Sequence, residues 1–152
     1  MRNILAQQRL AFDSGAMAAL AKGVPLLQVR KRFTVAEVNA GATILAAPGL
    51  SHKFRMVDYS MIAIGGNAAT ATDIRILATQ EGSAVALAIV AVAGLTRSTV
   101  NKPNSANNTV LADGASFVAN DVNTAITIGK TGGTLATATH IDVILTFAAD
   151  EV

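Results

Sequence analysis

The amino-acid sequence predicts an all-β domain, and three observations support that prediction. Short runs in which apolar and polar residues alternate recur along the chain, as the two-residue period of a β-strand requires. Glycine, asparagine, aspartate and proline separate these runs at the spacing typical of sandwiches and barrels. The apolar residues are mainly alanine, valine, isoleucine and leucine, with one tyrosine and no tryptophan. We therefore expect a jelly-roll-like sandwich or barrel of roughly seven or eight strands.

Length and charge indicate one domain preceded by a basic arm. The 152 residues suffice for a single hydrophobic core. Residues 1–32 contain six basic and one acidic side chain, a net +5, whereas residues 33–152 contain six basic and nine acidic side chains, a net −3. We expect a basic N-terminal arm over residues 1–25 and a sandwich domain over residues 26–152. Such a division of charge indicates that the basic residues 1–32 contact an acidic partner.

The first elements of the domain are predicted from their caps and breakers. A strand over residues 26–35 follows Pro25. One helical turn comes next, because Thr34 can cap its start, Glu37 stands at the spacing of a capping box, and Gly41 can end it. A short strand over residues 42–47 is then stopped by a Pro-Gly pair.

A change of phase predicts a bulge in the next strand, residues 53–64. Phe54 and Met56 are expected on one face of the strand. Val57, Tyr59 and Met61 are expected on the other. A slip of this kind inside one long strand is typical of a β-bulge, which bends sheets at the corners of sandwiches and barrels.

Turns and alternating strands are also predicted for the rest of the chain. Residues 65–72 are predicted to be an open turn and residues 73–79 a strand, with Ile74 and Ile76 on one face. Loops follow around residues 101–108 and at two further turns. Strands are then predicted over residues 124–130 and over residues 139–148, and the second of these has an apolar face of Ile141, Val143, Leu145 and Phe147.

The longest apolar run, AVALAIVAVAGL at residues 84–95, has three interpretations. A membrane helix needs about 20 apolar residues, so this run is too short to cross a bilayer. Its alanines also suit a buried helix. We favour a central strand of a sheet, because the flanking segments are predicted to be strands. We expect a bulge in this strand near Ile89 and Val90.

Motifs of enzyme chemistry are weak in this sequence. The stretch IGKTGG, residues 128–133, lacks the earlier glycine of a phosphate-binding loop and is expected to be a hairpin turn. His52 and His140 have no carboxylate at a metal-ligand spacing. Asp73 and Asp142 are expected to be ordinary solvated carboxylates on the polar faces of strands. We expect no catalytic residues, no metal and no cofactor.

Targeting and nucleic-acid binding are also not expected. Arg9 and Asp13 interrupt the apolar core that a secretory signal needs, so an amphipathic arm or short helix is the better interpretation of the N-terminus. The absence of cysteine fits synthesis in the cytosol. The RKR cluster at residues 30–32 suits a strand edge that discourages sheet pairing or meets an acidic protein, since few aromatic residues are present to stack on bases.

The ordered series of strands and turns resembles small capsid decoration, or cement, proteins of tailed bacteriophages. The stretches that carry the resemblance lie within residues 28–148: RKRFTVAEVNAGATIL, then KFRMVDYSMIAIGGNAATATDIRI, an Ala/Val strand, LADGASFVANDVNTAITIGKTGG and IDVILTF. The same series of strands and turns resembles head-fibre and tail proteins of similar build almost as closely.

The resemblance implies a structural virion protein and no enzyme. Such a protein is a homotrimer that binds the major capsid protein on the outer surface of the capsid, is made in the host cytoplasm, and contacts neither membrane nor nucleic acid directly. In such proteins an N-terminal arm often makes additional contacts with the capsid. The residues expected to contact the capsid are Arg2, Arg9, Phe12, Lys22, Arg30, Lys31 and Arg32. The alternative is a head-fibre or tail-associated module that binds a receptor or a glycan.

Overall fold

The computed structural model describes residues 27–47, 54–102 and 120–149. These residues form seven strands, one α-helix and one short 3-10 helix. The predicted arm, residues 1–25, lies outside the described residues, as do residues 103–108 of the predicted loop. In chain order the elements are β1 (Leu27–Thr34), α1 (Val35–Ala40), β2 (Thr43–Leu45), β3 (Phe54–Ile64), β4 (Ala69–Gln80), β5 (Ser83–Ala91), the 3-10 helix (Val92–Gly94), β6 (Ile126–Ala136) and β7 (His140–Ala149).

The strands form two antiparallel sheets, which confirms the all-β class. Sheet A has the order β1-β7-β3, and sheet B has the order β2-β6-β4-β5. Within the described ranges no strand of one sheet pairs with the other sheet, so the arrangement is an open sandwich and not a closed barrel. The pairs nest, β1 with β7, β2 with β6 and β4 with β5, as in the folded ribbon of a jelly roll.

One hydrophobic core lies between the sheets, and period-two alternation decides which residues enter it. The predicted apolar face of β7 is confirmed, because its four side chains are each at most 1 % exposed. Ile74 and Ile76 of β4, also predicted to share a face, are fully buried, and Ile126 and Ile128 of β6 lie beside them. The two inner faces therefore supply a common layer of aliphatic side chains.

Helix α1 begins and ends as the sequence predicts. The Thr34 hydroxyl accepts a hydrogen bond from the Glu37 backbone N–H, and the Glu37 carboxylate accepts one from the Thr34 backbone N–H, which completes a capping box. Gly41 ends the helix in the left-handed conformation. The helix buries Val38 against the core and links the two sheets.

The predicted bulge in β3 is confirmed, but one side chain of the prediction is misplaced. The register against β7 shifts between Met56 and Asp58, so Val57 is the additional residue. Tyr59 and Met61 face the core as expected, whereas Val57 is 39 % exposed. The prediction for Val57 was wrong because a bulge residue leaves the alternation of its neighbours.

Two predicted turns are shorter than expected or absent. Strand β4 begins at Ala69, inside the turn predicted over residues 65–72. The hairpin turn predicted over residues 128–133 is wrong, since this stretch lies inside β6. Its glycines serve a bulged pairing instead: the register against β4 shifts near Ala71, where Gly132 takes a positive φ of 75° and a Cβ would lie 2.9 Å from the Thr72 backbone nitrogen.

The run at residues 84–95 is a strand, but neither central nor continuous. Strand β5 ends at Ala91, and the 3-10 helix follows. Within the described chain β5 pairs only with β4 and therefore borders sheet B. Its bulge lies at Leu87, between the partners of Ile76 and Leu77, and not near Ile89 and Val90. Ile89 is 40 % exposed, so the run is only half buried.

Candidate functional site

Strand β1 places the predicted basic triplet on the border of sheet A. Within the described chain β1 pairs with β7 alone, so its other edge faces away from the sheet. Residues 30–32 are all exposed. Because side chains alternate along a strand, Arg30 and Arg32 share the outer face, and Lys31 points to the side of Phe33 and the core. The predicted position of this cluster on a strand edge is confirmed within the described residues, and its effect on sheet pairing or on a partner stays a prediction.

Lys31 joins the two sheets at their edge. Its ammonium group donates a 2.7 Å hydrogen bond to the backbone carbonyl of Thr43 in β2, and it lies 5.5 Å from the centre of the Phe33 ring. Strand β1 belongs to sheet A and β2 to sheet B. The contact therefore engages Lys31 within the domain, a role that the sequence pattern did not indicate.

Arg32 is also engaged within the domain. It lies directly opposite Asp142 of β7, and its Nε and Nη2 atoms donate to the two carboxylate oxygens at 2.6 and 2.8 Å. This bidentate pair lowers the pKa of Asp142, chiefly through the hydrogen bond from Arg32. Asp142 had been expected to be solvated, and that expectation was wrong because the antiparallel register brings an arginine to it.

Arg30 is the member of the triplet whose guanidinium has no hydrogen bond or ion pair to another described residue. It lies opposite Ile144 of β7, in the row adjacent to the Arg32–Asp142 pair. Ile62 of β3 lies opposite Asp142 on the other side of β7. Both isoleucines are half-buried on the outer face. We name this group, Arg30 with Ile62 and Ile144, the Arg30 patch.

The Arg30 patch joins one available cation to two apolar side chains. Arginine is enriched at protein–protein interfaces, and the buried centre of an interface is more apolar than its rim. The basic triplet in the sequence indicates Arg30 as a contact residue, but neither isoleucine was predicted from the sequence. The signal was present in the alternation of β7, where Ile144 follows Asp142 by two residues, but only the pairing of β3 with β7 places Ile62 beside them.

The remaining predicted contact residues, Arg2, Arg9, Phe12 and Lys22, lie outside the described residues. Their position relative to β1 stays a prediction. The structure therefore brings together the three basic residues of β1 and separates them by function: two are bound within the domain and one faces outward.

Asp73 is likewise not a solvated carboxylate. It is 9 % exposed, and its oxygens accept hydrogen bonds from Arg75 Nε at 2.8 Å and from Thr131 Oγ1 at 2.7 Å. The bond from Arg75 is the main reason that the pKa of Asp73 is lowered. Since β4 belongs to sheet B and β7 to sheet A, Asp73 and Asp142 stand in different sheets.

The other candidates for chemistry in the sequence were the two histidines and the IGKTGG stretch. His140 Nδ1 lies 3.0 Å from the Thr139 hydroxyl, and His52 lies outside the described residues. Lys130 donates to the Gly132 carbonyl within β6, so the IGKTGG stretch does not lead into a helix as a phosphate-binding loop requires. In the described ranges no three His, Cys, Asp or Glu side chains are grouped so that they could hold a metal ion.

No protein-family model, curated protein or solved structure matches this chain. Among the residues that the structure covers, no helix has the length and apolarity needed to span a membrane.

Proposed function

We propose that this protein is a structural virion protein that binds the outer surface of a bacteriophage capsid as a homotrimer and stabilises the capsid lattice. Its partner is the major capsid protein, and its role requires no catalysis and no cofactor. The resemblance of the strand-and-turn series motivates this proposal, and the open β-sandwich is a suitable framework for it. A rigid sandwich can present a fixed outer face to a repeating surface.

The observation that carries the proposal is the Arg30 patch. An arginine without an intramolecular ion pair among the described residues can form a charge-assisted hydrogen bond with a carboxylate of another protein. The adjacent Ile62 and Ile144 are half-buried and would lose their remaining exposed area on docking. The basic side chains of the predicted arm add to the same electrostatic attraction.

Many copies on a lattice make modest contacts sufficient. If three subunits bind neighbouring capsid proteins together, the second and third contacts are effectively intramolecular, so weak individual affinities combine. This is why one Arg30 patch per subunit is an adequate anchor. It also predicts that binding weakens as salt concentration rises, because exposed charge pairs are screened.

The decisive experiment is cosedimentation of the purified protein with undecorated phage heads. We expect the wild-type protein to pellet with heads and Arg30→Glu to bind at least tenfold more weakly. The matched control is Arg97→Glu, which makes the same change of charge at an exposed position in the turn after the 3-10 helix, outside the Arg30 patch. It should bind like the wild type.

The arm is tested separately in the full-length chain. Replacement of Arg2, Arg9 and Lys22 by glutamine should reduce binding further and should make the remaining binding less sensitive to salt. At protein concentrations low enough to keep trimers from associating with one another, light scattering should give the mass of a trimer for every variant. A wild-type protein that does not bind heads, or that binds host cells or glycans instead, would overturn the proposal and would support the receptor-binding alternative.

A further inference from the structure

Strand β5 borders sheet B with one of its two backbone edges open. It pairs with β4 on one side, and its other edge has no partner in the part of the chain that the structure describes. A border strand presents a row of unpaired N–H and C=O groups, which can pair with a further strand. The open edge of β5 is therefore an interaction surface by its backbone alone.

The side chains of β5 do nothing to prevent such pairing. The strand SAVALAIVA has nine residues, of which eight are apolar, and it contains neither a charged residue nor proline. Charges, proline and short length are the usual features that keep border strands from pairing. On the outer face Ile89 is 40 % exposed, and Ala84 and Ala91 are also exposed.

The other borders of the described sheets do have protective features. Strand β1 carries the basic triplet, and β2 is only three residues long. Strand β3 carries Arg55 and Asp58, and its border is bridged at Met61 by Asn101 through two backbone hydrogen bonds of 2.9 and 2.7 Å. Among the described sheet borders, β5 alone combines useful length with a complete lack of charge.

The bulge at Leu87 leaves a regular stretch available. Residues 88–91 pair without interruption against residues 73–76 of β4. The nearest charges on the outer face belong to Arg75 and Asp73, which bind each other at 2.8 Å. No unpaired charge of these two residues therefore faces a strand that approaches residues 88–91.

We propose that the open edge of β5 pairs antiparallel with β5 of a second copy of this chain. An antiparallel pair of identical strands is related by a two-fold axis and closes on itself, whereas pairing with a different border would leave open edges and risk chain growth. The absence of charge from β5 means that two copies meet without repulsion. Four strands from each copy then form one sheet of eight.

This contact goes beyond the proposed capsid binding and is independent of it. A two-fold contact differs from the three-fold contact of the proposed trimer, and it would join one trimer to another. Each contact can therefore be lost without loss of the other.

The test combines native mass spectrometry with amide hydrogen exchange over a range of protein concentrations. In the wild type we expect even-numbered assemblies and slower exchange in residues 88–91 as concentration rises. Ile89→Lys places like charges near each other across the two-fold axis, so we expect the dissociation constant to rise at least tenfold and the concentration dependence of exchange to disappear. Val57→Lys is the matched control, because Val57 on β3 is 39 % exposed.

Each outcome of this experiment decides the proposal. Halved assemblies for Ile89→Lys, with Val57→Lys unchanged, support it: hexamers become trimers if the proposed trimer exists, and dimers become monomers if it does not. Exchange in β5 that is independent of concentration, or unchanged assembly in Ile89→Lys, overturns it. If Ile89→Lys fails to fold, Ala91→Lys, at another exposed position of β5, provides the same measurement.

Discussion

Arg32 on β1 and Asp142 on β7 lie directly opposite each other and are joined by two hydrogen bonds, of 2.6 and 2.8 Å. The pair fixes the border strand of sheet A to the centre of that sheet. It also distinguishes Arg32 from its neighbour Arg30, which shares the outer face but has no such partner among the described residues. The basic triplet of the sequence is thus divided into residues that stabilise the domain and one that is available for binding.

The pair should contribute more to stability than Arg30, which acts on Asp142 only through the attraction between their charges and not through a hydrogen bond. We expect Asp142→Asn to lower the melting temperature, because Arg32 loses its charged partner, and the decrease should become smaller at high salt. The effect should be modest, since the Arg32 side chain is 56 % exposed. Thermal unfolding followed by circular dichroism measures it. Arg30→Gln is the control, and a decrease as large as that of Asp142→Asn would contradict this assignment.

Stability should fall as the solution becomes acidic. Hydrogen bonds from Arg75, Arg32 and Thr34 lower the pKa values of Asp73, Asp142 and Glu37 respectively. A lowered pKa in the folded state adds stability that is complete above the unfolded pKa, about 4, and is lost as pH falls toward the folded pKa. We expect a nearly constant free energy of unfolding from about pH 7 to 5.5 and a progressive decrease below about pH 5.

Urea unfolding at a series of pH values measures this dependence. Asp73→Asn removes one of the three groups, so its stability should decrease less steeply between pH 5 and 3 than that of the wild type. A steeper decrease in Asp73→Asn, or a wild-type stability that rises on acidification, would contradict the predicted direction in which the free energy of unfolding changes with pH.

Two glycines with similar backbone angles should differ in their tolerance of alanine. Gly82 and Gly132 have φ values of 72° and 75°, so alanine at either position is strained by about 1 kcal/mol. A Cβ at Gly82 would meet no atom within 4 Å, whereas a Cβ at Gly132 would collide with Thr72 of the neighbouring strand. We expect Gly132→Ala to lose clearly more stability than Gly82→Ala in urea unfolding. Equal losses would mean that the bulge in β6 relaxes freely.

Removal of one hydroxyl group should reveal how much the capping box of α1 contributes to the free energy of unfolding. Thr34→Ala removes the acceptor for the Glu37 backbone N–H, and loss of such a cap costs about 1 kcal/mol. Thr99→Ala, at an exposed residue outside the helices and strands, is the control and should change the free energy of unfolding by less than about 0.5 kcal/mol. A Thr34→Ala protein as stable as the wild type would contradict the assigned role of the cap.

Local chemistry was sufficient to predict several elements from the sequence. The alternation in β7, the capping box before α1 and the phase slip in β3 each depend on residues a few positions apart, and all three are confirmed. The class of the fold follows from the same short-range patterns, because a period of two over most of the chain suits strands and not helices. The capsid function expected from the resemblance stays a proposal.

The pairing of strands in the folded protein decided features that local sequence patterns left open or predicted wrongly. The glycines of the IGKTGG stretch indicate a turn when they are read alone, yet contact with β4 places them in a bulged strand. The apolar composition of β5 indicates a central strand, yet the order of sheet B places it at a border.

The sequence by itself determined that the chain forms β-strands and which positions are basic, since both depend on the identity of nearby residues. Only the tertiary structure decided which charges are used within the domain. Asp142 is 110 positions from Arg32, and Thr43 is bound by Lys31 across two sheets. Strand register sets these contacts, because it fixes which side chains stand opposite each other, and register depends on the packing of the whole sandwich.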